Sequence, residues 1–178
     1  MRALTDRDKL ERFMAAIGRE VRGGGVIYLT GGATALLHGF RTSTVDVDIK
    51  ADPEPPGLFE AIARLKVELD INVELASPDD FIPPLPEWRE RSLHIARHGD
   101  VDFLHYDPYA QALSKLQRAH ERDLRDVHDF WRTGLIEPRR LRDLFDAIEP
   151  QLLRYPAIDA ATFRSRVEEF CREAERQS

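Results

Sequence analysis

Leu10, Phe13, Met14, Ile17 and Val21 recur three and four positions apart near the start of the chain, the inner stripe of an amphipathic helix. Thr5 stands ahead of them as an N-cap, with Asp6 and Asp8 where a helix start favours negative charge. Gly23-Gly24-Gly25 ends that helix. Val26-Ile27-Tyr28-Leu29-Thr30 is a short unbroken apolar run, which predicts a buried strand ending at Gly31-Gly32. Ala33 to His38 reads as a short helix closed by Gly39. Val45 to Lys50 then alternates valine or isoleucine with aspartate and lysine, the period of a half-buried strand.

Beyond a turn containing Pro53, Pro55 and Pro56, Leu58, Ile62, Leu65 and Leu69 mark another helix, and Asn72 to Ala76 a strand. Ser77 to Glu87 carries Pro78, Pro83, Pro84 and Pro86, too many fixed φ angles and missing donors for regular structure, and is long enough for a functional loop. Leu93–Arg97 and Val101–Tyr106 predict a hairpin around His98-Gly99-Asp100. From Pro108 the pattern is helical only, over about 109–133, 138–149 and 159–176. Strands alternating with helices and followed by helices alone predict an α/β core, residues 1–107, with a helical C-terminal region, 108–178.

Composition narrows the class. The chain has 178 residues, 42% of them hydrophobic, enough for a core without staples. The single cysteine, Cys171, excludes a disulfide framework and a cysteine zinc site. No apolar run approaches the roughly 18 residues of a membrane span, and charges interrupt every run before residue 25, so no signal peptide is expected and the expected location is the cytoplasm. With 26 Lys+Arg against 32 Asp+Glu the formal net charge is −6, which argues against a general nucleic-acid coat while leaving room for a local basic cleft.

The chemistry concentrates between Tyr28 and Lys50, YLTGGATALLHGFRTSTVDVDIK. A glycine pair between a strand and a helix lets backbone approach a ligand closely, as phosphate binding requires; alone it is also an ordinary tight turn. Asp46 and Asp48 lie two apart in a strand, so both leave the same face, roughly 7 Å apart. An isolated pair of this kind is usually a solvated outer face. Placed after a glycine turn, it becomes a pair of hard oxygen donors beside a phosphate cradle, the ligand set Mg²⁺ takes together with substrate phosphates. Arg41, Thr42 and Thr44 lie between the two, and Arg41 either pairs a phosphate or bridges Asp46.

In this stretch the sequence resembles the polymerase-beta-like nucleotidyltransferase superfamily, whose signature is a Gly-Gly or Gly-Ser turn, a short helix and a D-x-D pair on the next strand. The form GGATALLHGFRTSTVDVDIK looks most like the branch containing AbiEii-type toxins, in which a glycine, an arginine and a Ser/Thr precede the carboxylates, here Gly39, Arg41 and Thr44. Gly32 stands where many members have serine, which removes a hydroxyl contact to phosphate. The resemblance implies a mixed sheet flanked by helices and Mg²⁺-dependent transfer of a nucleoside monophosphate from an NTP to an acceptor hydroxyl. Asp46 and Asp48 would be metal ligands, with two metals admissible, and Gly31, Gly32, Thr34, Arg41 and Thr44 would be nucleotide contacts. It further implies an RNA or tRNA acceptor and an antitoxin partner; small-molecule acceptors and a non-catalytic nucleotide-binding or antitoxin-like module stay open.

The superfamily also implies a third carboxylate on a later strand. Asp102 in Val101-Asp102-Phe103-Leu104 is the expected catalytic and metal residue, with Asp100 and Glu74 as competitors. Along the first tail helix, Leu113, Leu116, His120, Leu124, Val127 and Trp131 form the expected apolar stripe. Lys115 and Arg122 fall on one line, with Asp123 and Asp126 beyond. That Lys…Arg-Asp run is similar to one following the core in AbiEii-like proteins, so Lys115 and Asp123 join the nucleotide-binding candidates, against an ordinary reading as solvated i,i+4 charges. Trp88 with Arg89 and Arg91 either clamps a base or packs the proline-rich loop down.

Overall fold

The computed structural model describes residues 4–177. In chain order the elements are α1 (Arg7–Glu20), β1 (Gly25–Thr30), α2 (Gly31–Leu37), β2 (Asp46–Ala51), α3 (Leu58–Glu68), β3 (Asn72–Leu75), α4 (Trp88–Arg91), β4 (Leu93–His98), β5 (Val101–His105), α5 (Pro108–Arg118), α6 (Glu121–Arg132), α7 (Pro138–Ile148) and α8 (Ala160–Gln177). Short 3₁₀ turns sit at Pro78–Asp80 and Glu149–Arg154. No helix among the described residues is long and apolar enough to cross a membrane.

The chain divides into two compact units. The first runs to Ser77 and resumes over Ser92–Tyr106; the second takes Pro78–Arg91 and continues from Asp107. The first unit holds the expected mixed sheet, in the order β3-β2-β1-β5-β4. β1 pairs antiparallel with β2 and parallel with β5, β2 pairs parallel with β3, and β4 and β5 form the expected hairpin. Alternation sorts the side chains by face. Ile27, Leu29, Val47, Ile49, Val73, Val101 and Phe103 turn to one side and pack with Leu10, Phe13 and Ile17 of α1 and Leu58 and Leu65 of α3. Asp46, Asp48 and Lys50 turn to the other, with register partners Asn72 and Glu74 on one side and Tyr28 and Thr30 on the other.

The N-cap of α1 is Asp6, which accepts from Lys9 N at 2.9 Å, rather than Thr5. Thr5 instead forms an isolated antiparallel bridge with Thr44 (Thr5 N to Thr44 O 2.8 Å, Thr44 N to Thr5 O 2.9 Å) and pins the start of β2. Both residues compete for the same local role, and Asp is at least as good a cap as Thr.

In the second unit the expected helix over 109–133 is two helices. Ala119 adopts a left-handed conformation (φ 55°), its N–H capping Lys115 O at 2.7 Å, and extended His120 starts α6. The break resets the helical phase. Leu124 and His120 are therefore exposed, while Asp123, Asp126, Val127 and Phe130 make the buried face of α6; the stripe drawn through His120 and Leu124 belongs to an unbroken helix this chain does not form. Trp88 is buried with the Arg89 guanidinium 4.5 Å above its ring, and Arg91 is claimed by Asp107 (Nε 3.0 Å, Nη2 2.7 Å), so this cluster packs its loop. Asp107 also N-caps α5 by accepting from Tyr109 N at 2.9 Å. Burial pushes its carboxyl above the usual range, and Arg91 opposes that shift.

Candidate active site

β1 runs into α2 without an intervening loop, so the diglycine is at once the strand end and the first turn of the helix. Gly31 has φ +58°, a conformation β-carbon-bearing residues rarely adopt. A Cβ there would stand 2.6 Å from Asp48 Oδ2, and one on Gly32 would stand 2.1 Å from Thr44 Oγ1 and 3.5 Å from Arg41 Nη1. The two glycines are therefore the space into which an aspartate carboxylate, a threonine hydroxyl and an arginine guanidinium close on bare backbone. Register produces this closeness: Thr30, the last residue of β1, is the partner of Asp48.

Thr44 is buried, and its hydroxyl donates to Asp46 O at 3.0 Å, fixing the backbone on which the carboxylate pair begins. Asp46 and Asp48 are both half-buried, with Val47 and Ile49 anchored in the core between and beyond them. On β3, Asn72 is opposite Asp46 and Glu74 is opposite Asp48. The Asn72 side-chain nitrogen donates to Asp46 Oδ1 at 2.5 Å and to Glu74 Oε1 at 3.1 Å. Three carboxylates thus leave one face of two adjacent strands. Asn72 was not singled out from the sequence; the signal was present in Asn72-Val73-Glu74, whose period repeats that of the D-x-D strand it joins.

Asp102 pairs with Val26 across β5 and β1, four residues from Thr30 and hence about 13 Å along the strand from the level of Asp48. Its carboxylate is bonded to Arg97 Nη1 at 3.1 Å, with His94 Nε2 at 3.9 Å. It is not gathered with Asp46 and Asp48. Thr34 is buried, with its hydroxyl donating to Leu29 O at 3.1 Å and lying 3.2 Å from His105 Nδ1. His105 stacks on His38, ring centroids 4.2 Å apart. Burial, with His38 beside it, pulls the His105 ring down to about 3, and burial lowers His38 as well.

Lys115 and Asp123 meet in the second unit. The Lys115 ammonium is buried and bonded to Asp126 at 2.6 Å and Asp123 at 3.4 Å, and Asp123 also takes Arg118 at 3.0 Å. This network ties α5 to α6 across the Ala119 break.

Among the described residues no three His, Cys, Asp or Glu side chains are grouped so as to hold a metal ion by themselves. A hard divalent cation does not need three. Mg²⁺ keeps several waters and is held by one or two carboxylates with substrate phosphates completing its octahedron. Asp46 and Asp48, all-oxygen donors on one face with bare backbone beside them, suit that partial shell. A family model with the description "nucleotidyltransferase of unknown function" matches residues 9–174. No curated protein matches the chain, and no solved structure does.

Proposed function

The chain belongs to that family of nucleotidyltransferases, DUF6036, and from this membership we propose that it moves a nucleoside monophosphate from an NTP to an acceptor hydroxyl in a Mg²⁺-dependent reaction. The observation that carries the reading is the Asp48 carboxylate lying against the Gly31 backbone, with Asp46 two residues away on the same face. Asp46 and Asp48 would hold Mg²⁺, and an ion there would supply positive charge against the triphosphate. Gly31 and Gly32 let the Asp48 carboxylate and the Thr44 hydroxyl close on bare backbone, and Arg41, close to Gly32, supplies a guanidinium for phosphate oxygens.

Glu74 takes the place of the third carboxylate in this reading, ahead of Asp102. It is the register partner of Asp48, whereas Asp102 is far along another strand and engaged by Arg97. From that place it accepts the proton of the attacking hydroxyl. Lys115 and Asp123 enter as a buried pair joining two helices rather than as phosphate contacts. The acceptor is RNA, with a tRNA end as the first candidate, and an antitoxin protein is the partner; both follow from the resemblance to the AbiEii-type branch.

A second reading is a nucleotide-binding or antitoxin-like module without catalysis. Incubation with each α-labelled NTP, Mg²⁺ and bulk tRNA separates the two. Label transferred to RNA, lost with chelator and in Asp46→Ala and Asp48→Ala proteins that keep their thermal midpoint, supports the enzyme. Metal-dependent nucleotide binding with no transfer to RNA or to small-molecule acceptors supports the module. Full transfer by Asp46→Ala would defeat the site assignment.

A further inference from the structure

Asn72 occupies a position that neither the metal nor the nucleotide requires in the proposal above. It sits on β3 between two acidic side chains that share its face, Asp46 opposite it on β2 and Glu74 two residues along its own strand. An ionised carboxylate can accept but not donate, so the NH₂ end of the amide is the end that fits between them. That single nitrogen carries two protons and spends one on each neighbour, Asp46 Oδ1 at 2.5 Å and Glu74 Oε1 at 3.1 Å.

Two like charges on adjacent strands repel, and a pair of carboxylates on one face destabilises a sheet. An amide nitrogen bridging them offsets that repulsion without adding a counter-charge. A lysine in the same place would neutralise the carboxylates and compete with a cation for them; an asparagine bridges them without a charge of its own. It also fixes which oxygen points where. Its bond to Oδ1 of Asp46 sets the orientation of that carboxylate.

We propose that Asn72 is the positioning residue of the carboxylate cluster: by bridging Asp46 and Glu74 it presets the orientation in which Asp46 receives a divalent cation. The inference rests on the nucleotidyltransferase reading and deepens it. Partners that orient metal ligands from behind typically account for about 10–100-fold in metal affinity, and that is the expected size of the effect here.

The test uses the full chain, with Mn²⁺ as the probe cation and its binding followed by electron paramagnetic resonance, alongside thermal unfolding. Asn72→Leu keeps the branched shape at this half-buried strand position and removes both donors; Asn72→Ala is the second variant should the leucine perturb packing. The expected result is Mn²⁺ affinity lowered about 10–100-fold in a variant whose thermal midpoint matches the parent. Unchanged affinity in such a variant overturns the role of Asn72 while leaving the proposed function standing. A parent protein that binds no Mn²⁺, with or without NTP, brings down the function and this inference together. If both variants unfold at markedly lower temperature while their folded fraction binds Mn²⁺ like the parent, Asn72 is a structural bridge only and the inference fails.

Discussion

Asp48 Oδ2 lies where the side chain of residue 31 would be: a Cβ on Gly31 would approach it to 2.6 Å. The glycine and the aspartate are seventeen positions apart in the chain, and the antiparallel register that sets Thr30 opposite Asp48 brings them together. The position of the carboxylate and the conformation of the turn are thus one constraint.

Gly31→Ala meets that constraint twice. The left-handed φ of +58° costs an L-residue about 1–2 kcal/mol, and the new methyl displaces the Asp48 carboxylate. The expected outcome is a modest drop in unfolding free energy, read by urea titration, with a larger loss of Mn²⁺-dependent NTP binding. Equal binding by the variant and the parent would mean that Asp48 is not a ligand.

Lys115→Met separates a structural lysine from a phosphate-binding one. The methionine fills the volume but leaves Asp126 buried without its ammonium, and breaking one side of a buried pair costs about 3–5 kcal/mol. Denaturant unfolding should show a loss of that order, smaller for the Lys115→Met/Asp126→Leu double variant. A fully stable single variant with raised KM for NTP would return Lys115 to the nucleotide.

Acid should unfold this protein partly through two histidines. His105 is held at about 3 in the folded chain against 6.5 when unfolded, and His38 is lowered too. Between those values the unfolded state binds more protons, so stability is complete above about 6.5 and declines as pH falls toward 3. His105→Gln keeps a donor for Thr34 and removes the titration. Its stability-versus-pH slope across this window should be shallower by up to one proton, about 1.4 kcal/mol per pH unit. A variant with the parent's slope rejects the histidine contribution.

Gly18→Ala should reverse the usual sign of a helix substitution. In an exposed helix interior alanine is better than glycine by about 1 kcal/mol, but here a Cβ would stand 2.4 Å from His98 O, against the β4–β5 hairpin. Overpacking costs about 1–3 kcal/mol, so thermal denaturation should show a lower midpoint than the parent.

Most of the first unit was readable because its signals are local. The unbroken apolar run of β1, the alternation in β2 and the glycine pair each follow from neighbours in the chain, and the mixed sheet with flanking helices is what such an order builds. The second unit resisted at one residue. Ala119 has no turn-forming chemistry, so nothing in the composition of 109–133 marks the break, and the phase read through His120 and Leu124 was carried past it. The partners of Lys115 were hidden for a related reason: its two aspartates sit eight and eleven positions away, beyond the i,i+4 reach that a helical wheel displays.

By itself the sequence determined which strands exist, which face of each is apolar, and that two aspartates share the polar face of β2, because period and side-chain chemistry are properties of consecutive residues. Register and strand order were decided only in the folded chain. They set Asp48 against Gly31, put Glu74 and Asn72 beside the aspartate pair, and left Asp102 four residues down a different strand beside Arg97. Strand pairing joins residues by hydrogen bonds between distant segments, and a shift of one position exchanges the faces of a strand, so the membership of a carboxylate cluster is a fact of the sheet.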